Sequence, residues 1–337
     1  MKKNIILGLA ITAIFSTAAN ADTKKSTLEN VKKAGVLKCG VTTGLAGFSA
    51  PDKDGKWTGI DVDTCRAVAA AVLGDAKKVK FNPLTAKERF TALQSGEIDM
   101  LSRNTTWTLT RDASLGLNFA GVNYYDGQGF MVSKKLGVKS VNDLDGAAVC
   151  IQAGTTTELN LADYFKAHNM KFKAITFDTS DQTIKGFEAG RCDMLTSDQS
   201  QLYALRIKLA KPDDAVVLPE VISKEPLGPV VRQGDDQWFN IVKWSLNAMI
   251  NAEEMGITKA NVKDKKSSKD PATARLMGGQ GEKLGLDDAW SYNIISQVGN
   301  YGEIFEANVG KGSPLKIERG LNALWNKGGI MYAPPIR

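Results

Sequence analysis

An internal repeat is the feature of this sequence that most constrains its fold. The segments Leu93–Leu101 (LQSGEIDML) and Phe187–Leu195 (FEAGRCDML) share glycine, aspartate, methionine and leucine at the same offsets. The order strand, helix, strand around the first segment recurs around the second. The repeat predicts an α/β protein of two similar lobes, each a mostly parallel sheet flanked by helices, with polar loops at the carboxyl ends of the strands. Two such edges facing each other would form a cleft, which is a favoured place for small-molecule sites.

Apolar patterns and boundary residues place the elements of both units. The predicted strands are Val36–Val41, Lys78–Phe81, Ile98–Leu101, Ala147–Ile151, Lys171–Phe177 and Cys192–Leu195. The predicted helices include Ser26–Ala34, Asp181–Ala189 and the amphipathic segment Asp235–Glu254. A capping box at Thr85–Glu88 begins a helix in the first unit, and Thr156 or Thr157 can cap a helix in the second.

Two segments are predicted to connect the lobes. A strand at Gly127–Val132 leaves the first unit, and Lys224–Val231 returns to it. Pro226 and Pro229 disfavour a helix in the returning segment. The predicted domains are a signal peptide at 1–21, lobe 1 at 22–127 and 229–337, and lobe 2 at 128–228.

The first residues have the pattern of a secretory signal peptide. Two lysines after Met1 are followed by a mostly apolar run from Ile5 to Phe15 and by a small-residue cleavage site that ends at Ala21. The apolar run is too short to span a membrane. We therefore expect cleavage after Ala21 and export, which in a Gram-negative cell means the periplasm. A retained N-terminal anchor is the alternative.

Charge and composition argue against several classes of function. The formal charge of +6 comes from scattered basic residues, without a basic stripe that contains aromatic residues, so nucleic acid is not an expected partner. His168 is the only histidine, which makes a hydrolytic triad or a zinc site improbable. We expect no metal and no cofactor.

Four cysteines remain in the exported chain: Cys39, Cys65, Cys150 and Cys192. An even number in an exported protein favours disulfides, and four cysteines allow three pairings. Cys39–Cys65 and Cys150–Cys192 are preferred because each would tie a strand to a nearby element within one domain. Four buried free thiols are the alternative.

A polar loop follows the third strand of the first unit. Asn104, Thr105, Thr106 and Thr108 offer amide, hydroxyl and backbone groups, and Arg111 offers a planar fork of N–H donors. The loop contains neither a nucleophile–base pair nor a metal ligand set. Such a cluster suits a small carboxylate that is held rather than transformed, because a guanidinium binds it with two parallel charge-assisted bonds. The alternative is a threonine-rich loop with a surface arginine.

The order of motifs along the chain resembles a known family. The matching segments are Thr42–Phe48, Trp57–Asp61, Thr105–Arg111, Gly154–Glu158, Gly190–Asp198 and Ala323–Pro335. The chain is similar over its whole length to periplasmic amino-acid-binding proteins of ATP-binding-cassette (ABC) importers, in particular the general L-amino-acid-binding branch of Gram-negative bacteria. The resemblance implies a monomeric, two-lobed type II periplasmic-binding fold with two hinge crossings. It implies an L-amino acid as ligand and the permease subunits of an ABC importer as partners.

The resemblance also implies roles for particular residues. Arg111 would bind the α-carboxylate of the ligand, together with Thr106 and with Thr156 at a helix N-terminus. Asp198, which follows the shared leucine of the repeat at the same offset as Asn104, would accept the α-ammonium group. The remaining implied ligand-binding residues are Asn104, Phe48 and Thr42.

Two further inferences concern the binding of a zwitterion. An unpaired buried charge costs several kcal/mol, so a dry pocket must offer partners for both charges of an amino acid. Arg111 and Asp198 would satisfy both only when the lobes close, so the ligand would favour closure.

Glutamate/aspartate binders of the family have an arginine near the position of Thr42, and the absence of that arginine here favours a broad range of ligands. Arg103 could still reach an acidic side chain.

An exported enzyme on the same fold is the rival hypothesis. Some relatives in the family are dehydratases that act on prephenate or arogenate. Such chemistry needs a positioned acid, and Glu158 is the only eligible carboxylate beside a site motif. Its position in the first turn of a predicted helix favours a structural role, so the binding protein remains the leading hypothesis.

Overall fold

The computed structural model describes residues 26–337, so the predicted signal peptide and its cleavage site lie outside the described residues. The strands are β1 (Leu37–Val41), β2 (Ala50–Pro51), β3 (Trp57–Thr58), β4 (Val79–Pro83), β5 (Met100–Leu101), β6 (Leu117–Phe119), β7 (Tyr124–Asp126), β8 (Gln128–Ser133), β9 (Ala148–Gln152), β10 (Lys173–Phe177), β11 (Met194–Asp198), β12 (Ala215–Val217), β13 (Glu225–Leu227) and β14 (Val230–Arg232). The helices are α1 (Thr27–Ala34), α2 (Ile60–Leu73), α3 (Arg89–Gln94), α4 (Leu109–Ser114), α5 (Thr156–Ala167), α6 (Ser180–Glu188), α7 (Gln199–Arg206), α8 (Asp236–Glu254), α9 (Val262–Lys265), α10 (Pro271–Met277), α11 (Trp290–Gln297) and α12 (Tyr301–Asn308).

Two five-stranded sheets confirm the predicted two-lobed α/β architecture. The first sheet has the order β4-β1-β5-β14-β6, and the second has the order β10-β9-β11-β8-β12. In each sheet the first three strands pair in parallel, and the fourth strand in the order runs antiparallel to both of its neighbours. That antiparallel strand is, in each lobe, the one that follows a crossing. The sheets are therefore mixed, with most strands in one direction.

The repeated sequence has the same structural role in both lobes. The carboxylate of Asp99 accepts the backbone N–H of Lys38 at 2.8 Å, and that of Asp193 accepts the N–H of Ala148 at 2.7 Å. Each aspartate also donates its own N–H to the carbonyl of the same partner. The shared aspartate thus fixes the third strand of each unit to the first. The methionine and leucine that follow are buried in the sheet.

The crossings meet in a small ladder of their own. Strands β7 and β13 pair antiparallel between the two sheets, with Tyr125 opposite Pro226 and Asp126 opposite Glu225. The predicted lobe borders lie beside this ladder, after residues 127 and 228, and they remain predictions.

The turns that lead into α3 and α5 place polar side chains at the cleft. The reciprocal bonds of the predicted capping box are present, from the N–H of Thr85 to Glu88 Oε2 at 2.9 Å and from the N–H of Glu88 to Thr85 Oγ1 at 3.3 Å. They close the turn before α3 and do not cap the helix itself, which begins at Arg89 with Glu88 at the N-cap position. The predicted cap of α5 is wrong by one residue. Thr155 occupies the N-cap position and Thr156 is the first helical residue. The Thr155 hydroxyl makes no cap bond to a helix N–H and instead donates to the carbonyl of Gln152 at 2.7 Å, which closes the loop.

Both predicted disulfides are confirmed. Cys39–Cys65 ties β1 to α2 with Cα atoms 6.3 Å apart, and Cys150–Cys192 ties β9 to the residues before β11 with Cα atoms 5.5 Å apart. Each bridge lies within one lobe, so neither restrains the movement of one lobe against the other.

The C-terminal residues form an additional layer on lobe 1. Helix α11 packs against α2 and α8, and α12 packs against α8. The last residues form no helix, as the prolines predict, and the carbonyl of Pro334 accepts a bond from Asn251 in α8. Among residues 26–337, no helix has both the length and the apolar character that a membrane span requires.

Candidate functional site

The cleft between the two sheets contains a small pocket with a cavity volume of ≈ 20 Å³. Arg89, Arg103, Asn104 and Thr106 line it from lobe 1, and Gln152, Thr155, Thr156, Thr157, Ser197, Asp198 and Gln201 line it from lobe 2. The lining comes from loops and helix ends that follow the strands, as expected for this class of sheet. Four of the predicted site residues, Asn104, Thr106, Thr156 and Asp198, are therefore brought together in one pocket.

The loop after β5 has a backbone shape that a buried carboxylate holds. Asn104 has a φ of 33°, a left-handed value that asparagine tolerates better than most residues. Asp61 accepts the N–H of Asn104 at 2.7 Å and the hydroxyl of Ser102 at 2.8 Å. Burial raises the pKa of Asp61, and these hydrogen bonds oppose the rise by favouring the ionised form. The segment Trp57–Asp61 thus contributes to the site by shaping its loop.

Arg111 lies in α4, directly behind the pocket wall. The Thr108 side chain caps this helix and accepts the N–H of Arg111 at 3.3 Å. The guanidinium donates to the carbonyl of Thr106 at 2.9 Å and stands over the ring of Phe90, 5.3 Å from its centroid. Burial lowers its pKa, while Glu225 and Asp198 oppose the change. Arg111 does not itself line this pocket, so its contact with a ligand remains a prediction.

Three buried arginines form the lobe 1 side of the cleft. Arg89 is 2% exposed, Arg103 4% and Arg111 9%. Burial lowers the pKa of all three, that of Arg103 to about 10, and the proximity of Arg111 contributes to the shifts of Arg89 and Arg103. Within residues 26–337 none of them forms an ion pair with a carboxylate. A buried cation without an anion is costly, so this wall is suited to an anionic group from outside the protein.

Two buried carboxylates, Asp198 and Glu225, and the half-buried Asp126 form the opposite side. Asp198 is the last residue of β11, Asp126 ends β7 and Glu225 begins β13. Burial raises the pKa of Asp198 well above its usual value, and Asp126 and Glu225 raise it further. Burial likewise raises the pKa of Asp126 to about 6, although hydrogen bonds from Ser200 and Gly127 oppose the rise. A cationic group placed among them would favour their ionised forms.

Glu225 and Asp126 are also the hydrogen-bond acceptors of this wall. Glu225 accepts from Thr156 at 3.0 Å, from Asn160 at 2.7 Å and from Ser223 at 2.7 Å. The Ser200 hydroxyl donates to Asp126. Both carboxylates lie in the crossing strands, and their donors Thr156, Asn160 and Ser200 lie in lobe 2. The crossing strands are thereby bonded to lobe 2 through side chains.

Several contacts join the two lobes across the cleft. Asn104 Nδ2 donates to Gln201 Oε1 at 3.1 Å, and the hydroxyls of Thr106 and Thr156 are 3.4 Å apart. At the rim, Lys87 Nζ and Asp178 Oδ1 form an exposed ion pair at 2.7 Å. The cleft is therefore closed in this structure.

Arg103 lines this pocket as well, whereas Phe48, Thr42, Trp107 and Glu158 lie outside it. Phe48 is buried in lobe 1 with its ring edge-on to Tyr124 at 5.2 Å, and the Thr42 hydroxyl donates to the carbonyl of Ser49 at 2.7 Å. Their ligand contacts remain predictions. Trp107 stacks on Phe119 at 5.5 Å, and Glu158 accepts the N–H of Gly154 at 2.8 Å in the first turn of α5.

The sequence analysis missed Arg89, Gln201, Asp126 and Glu225. Arg89 follows the capping box immediately, so its place at the first turn of a helix facing the cleft was a usable signal. Asp126 and Glu225 each stand beside a predicted crossing, and an acidic residue at both crossings was a second signal. Gln201 offered none. In the part of the chain that the structure describes, no group of histidine, cysteine or acidic side chains could hold a metal ion.

Comparison with known proteins places the chain in a family. The family model of bacterial extracellular solute-binding proteins, family 3, matches residues 37–260. The putative amino-acid ABC transporter-binding protein YhdW of Escherichia coli K12 is 63% identical over 343 residues, which cover 100% of both chains. The general L-amino acid-binding periplasmic protein AapJ of Rhizobium johnstonii is 60% identical over 336 residues, covering 98% of this chain and 97% of that one.

A solved structure agrees with these relatives. An ABC transporter/periplasmic binding protein from Brucella ovis with glutathione bound superposes with a TM-score of 0.91 at 58% identity, covering 93% of this chain and 99% of that chain. The names of these relatives describe binding proteins, two of them of ABC transporters, and none of the three names describes an enzyme. The chain belongs to the bacterial extracellular solute-binding proteins of family 3.

Proposed function

We propose that this protein captures L-amino acids in the periplasm by closure of its two lobes and delivers them to an inner-membrane ABC permease. The names of YhdW and AapJ support both the ligand class and the transporter. The fold supports capture, because a pocket between two linked lobes can enclose a small molecule.

The separation of charge across the cleft is the observation that carries this proposal. Buried arginines form one wall and buried carboxylates the other, and no ion pair joins the two walls within the described residues. An amino acid in water is a zwitterion that carries one charge of each sign. Placed between the walls, it would give each of them a partner of opposite charge.

We assign the binding roles accordingly. Arg111 and Thr106 would hold the α-carboxylate from lobe 1, and Thr156 would approach it from lobe 2, where the free N–H groups at the start of α5 favour an anion. Asp198 would accept the α-ammonium group. Asn104 would join the lobes through Gln201, and Phe48 and Thr42 would contact the ligand only after a rearrangement of lobe 1.

We infer a broad range of ligands. AapJ is named for general L-amino acids, and the Brucella ovis protein holds glutathione, whose glutamyl end carries a free α-ammonium and α-carboxylate. A pocket that recognises mainly these two groups would accept many side chains. The three arginines would in addition favour ligands with a second carboxylate.

A thermal-shift screen tests the proposal. The mature chain would be heated with each standard L-amino acid, with the D-enantiomers as controls and with glutathione. A ligand that binds only the native state raises its stability by mass action, by about 2.7 kcal/mol at a hundredfold excess over Kd. Several L-amino acids should raise the melting temperature, and titration calorimetry should then give their affinities. No shift with any of them would contradict the proposal.

Export has its own test. N-terminal sequencing of the protein recovered from a periplasmic extract should give Asp22 as the first residue. Recovery of the chain with its first residues intact in the membrane fraction would instead support an N-terminal anchor.

The dehydratase hypothesis receives no support from the site. Its candidate acid, Glu158, is held by the N–H of Gly154, and the relatives at 60% identity and above are solute-binding proteins. Incubation with prephenate and arogenate should therefore give no aromatic product.

A further inference from the structure

The C-terminal layer makes direct contact with β7, the first crossing strand. The contacting residue of this layer lies beyond the part of the chain that the family model matches. The Asn322 side chain accepts the N–H of Tyr125 at 2.7 Å through Oδ1 and donates to the carbonyl of Tyr125 at 3.0 Å through Nδ2. The Asn322 side chain thus pairs with both backbone groups of Tyr125, as a neighbouring β-strand would. Asn322 is 4% exposed, and it lies beyond residue 260, where the family match ends.

The ladder itself explains why Tyr125 needs this partner. Tyr125 and Pro226 are directly opposite but form a non-hydrogen-bonded pair, because the N–H and carbonyl of Tyr125 point away from β13 and the Pro226 carbonyl points to Trp107. Strand β13 therefore leaves both backbone groups of Tyr125 unpaired on the outer edge of the ladder. A buried carbonyl or N–H without a partner costs about 1–3 kcal/mol. The side-chain amide of Asn322 satisfies both groups of Tyr125 at once.

Other residues of the C-terminal layer hold Asn322 and the neighbouring backbone in place. Arg319 donates to the Asn322 carbonyl at 2.8 Å and forms an ion pair with Glu253 of α8 at 3.1 Å. The Tyr301 hydroxyl donates to the carbonyl of Asn123 at 2.9 Å, just before β7. The first crossing strand is therefore attached to lobe 1 over several residues.

The other edge of the ladder is attached to lobe 1 as well. The carbonyl of Pro226 accepts the N–H of Trp107 at 2.8 Å, and the N–H of Gly228 donates to the carbonyl of Thr105 at 3.0 Å. Residues 105–107 belong to the loop that carries Thr106 and precedes Arg111. The ladder thus lies between Asn322 on one edge and residues 105–107 on the other.

Backbone bonds to lobe 2 begin immediately beyond the ladder. The carbonyl of Gly127 accepts the N–H of Gln199 at 2.8 Å, and the N–H of Ile222 donates to the carbonyl of Gln128 at 2.9 Å. The backbone therefore changes from lobe 1 partners to lobe 2 partners between Tyr125 and Gly127 in one crossing, and between Ile222 and Pro226 in the other.

We propose that Asn322 is a positioning residue that holds the β7–β13 ladder as a part of lobe 1, so that lobe closure pivots at Asp126 and within residues 223–225. The pivot in the returning crossing then lies a few residues before the border predicted from the sequence. Two of the cleft carboxylates, Asp126 and Glu225, sit at the pivots themselves. The C-terminal layer would serve to confine closure to one path, which is a role in hinge mechanics rather than in ligand contact.

Amide hydrogen exchange in the ligand-free protein tests this assignment directly. In Asn322→Ala, the Tyr125 amide should exchange about five- to tenfold faster, the ratio expected for a lost hydrogen bond of about 1 kcal/mol. Asn251→Ala is the matched control, because Asn251 is also a buried asparagine that bonds to C-terminal backbone, at Pro334, but does not touch the ladder. It should leave Tyr125 exchange unchanged. Unchanged exchange in Asn322→Ala, or an equal increase in both variants, would overturn the assignment.

Lobe distances give the readout that a purely structural role would not alter. Spin labels at exposed positions 53 in lobe 1 and 166 in lobe 2 would report the distance distribution in the ligand-free protein. Asn322→Ala should broaden it, and Asn322→Asp should do the same because a carboxylate cannot donate to the Tyr125 carbonyl. A wild-type distribution in Asn322→Asp would mean that side-chain volume, and not hydrogen bonding, is what matters, which would overturn the proposal.

A milder variant keeps the test decisive if Asn322→Ala does not fold. Tyr301→Phe removes one hydroxyl, which donates to Asn123, and should raise exchange at residues 123–125 by a smaller factor. None of these measurements needs a ligand. A failure of amino-acid binding would therefore leave them interpretable, and addition of L-glutamine as a probe would separately show whether the lobes still close.

Discussion

The two walls of the cleft differ in charge and in how they are attached to the fold. The arginines of lobe 1 stand on α3, α4 and the loop after β5, and all three donate to main-chain carbonyls. Arg103 and Arg111 bond within lobe 1, to Leu84 and Thr106, and Arg89 bonds across the cleft to Gly154. The carboxylates are distributed over both crossings and the end of β11. One wall therefore belongs to a single lobe, whereas the other combines two residues of the crossing ladder, Asp126 and Glu225, with Asp198 of lobe 2.

This difference explains why an amino acid would favour the closed arrangement. The cationic wall exists before closure, but Asp198 reaches it only when lobe 2 rotates. A ligand can shift such an equilibrium only by its differential affinity for the two states. A zwitterion has that differential affinity, because its ammonium group finds the acidic wall only in the closed state.

The largest effect on affinity is expected at the arginine wall of lobe 1. Arg111→Ala should weaken the binding of every amino acid by more than about 2 kcal/mol, because it removes a charge-assisted fork for the α-carboxylate. Titration calorimetry with L-glutamine and L-glutamate would measure the loss. Arg66→Ala, which removes a lobe 1 arginine paired with Asp63 outside the cleft, should bind normally. Near-native affinity in Arg111→Ala would show that the cationic wall does not hold the ligand through this residue.

The next largest effect on affinity is expected at the acidic wall. Asp198→Asn should weaken binding by about 1.5 kcal/mol across ligands, since an amide accepts a hydrogen bond from the ammonium group without the charge. The same variant should not lose stability without ligand, because it removes a buried carboxylate whose pKa is raised by burial and by Asp126 and Glu225. Parallel calorimetry and urea unfolding would separate the two effects. A loss confined to basic amino acids would instead assign Asp198 to the side-chain end of the pocket.

The sequence was sufficient for features whose signal is local or repeated. The repeat predicted both lobes, and it related Asn104 to Asp198, which line one pocket. It could not locate the cap of α5, because Thr155 is selected by its bond to Gln152 across the loop. The place of Thr42 outside the pocket could not be predicted either, since the bond of its hydroxyl to the Ser49 carbonyl depends on how the following loop folds back. Asn322 shows the limit most clearly, because its partner Tyr125 is 197 residues away in the chain.

A pH-dependent effect, on stability and not on affinity, should come from the pivot. The pKa of Asp126 is raised from 3.8 to about 6 by burial, so the native state holds this proton more tightly than the unfolded chain. The stabilising contribution is therefore complete below pH 3.8 and is lost as the pH rises through about 6, with a slope of at most about 1.4 kcal/mol per pH unit. Urea unfolding of the ligand-free protein between pH 4 and 7 should show this decline. Asp126→Asn should flatten it, and Asp213→Asn, an exposed control, should not. An unaltered profile in Asp126→Asn would assign the decline to other groups.

The smallest effect should come from the rim of the cleft. Lys87 and Asp178 join the lobes, but their side chains are 57% and 65% exposed, and solvent and salt screen such a pair. Lys87→Met should therefore change the affinity for L-glutamine less than either cleft variant, and the difference should vanish at high salt. Lys80→Met, an exposed lysine of lobe 1, serves as the control. A loss as large as that of Asp198→Asn would mean that rim contacts, rather than the two charged walls, hold the lobes together, and the contrast between the walls would then not explain closure.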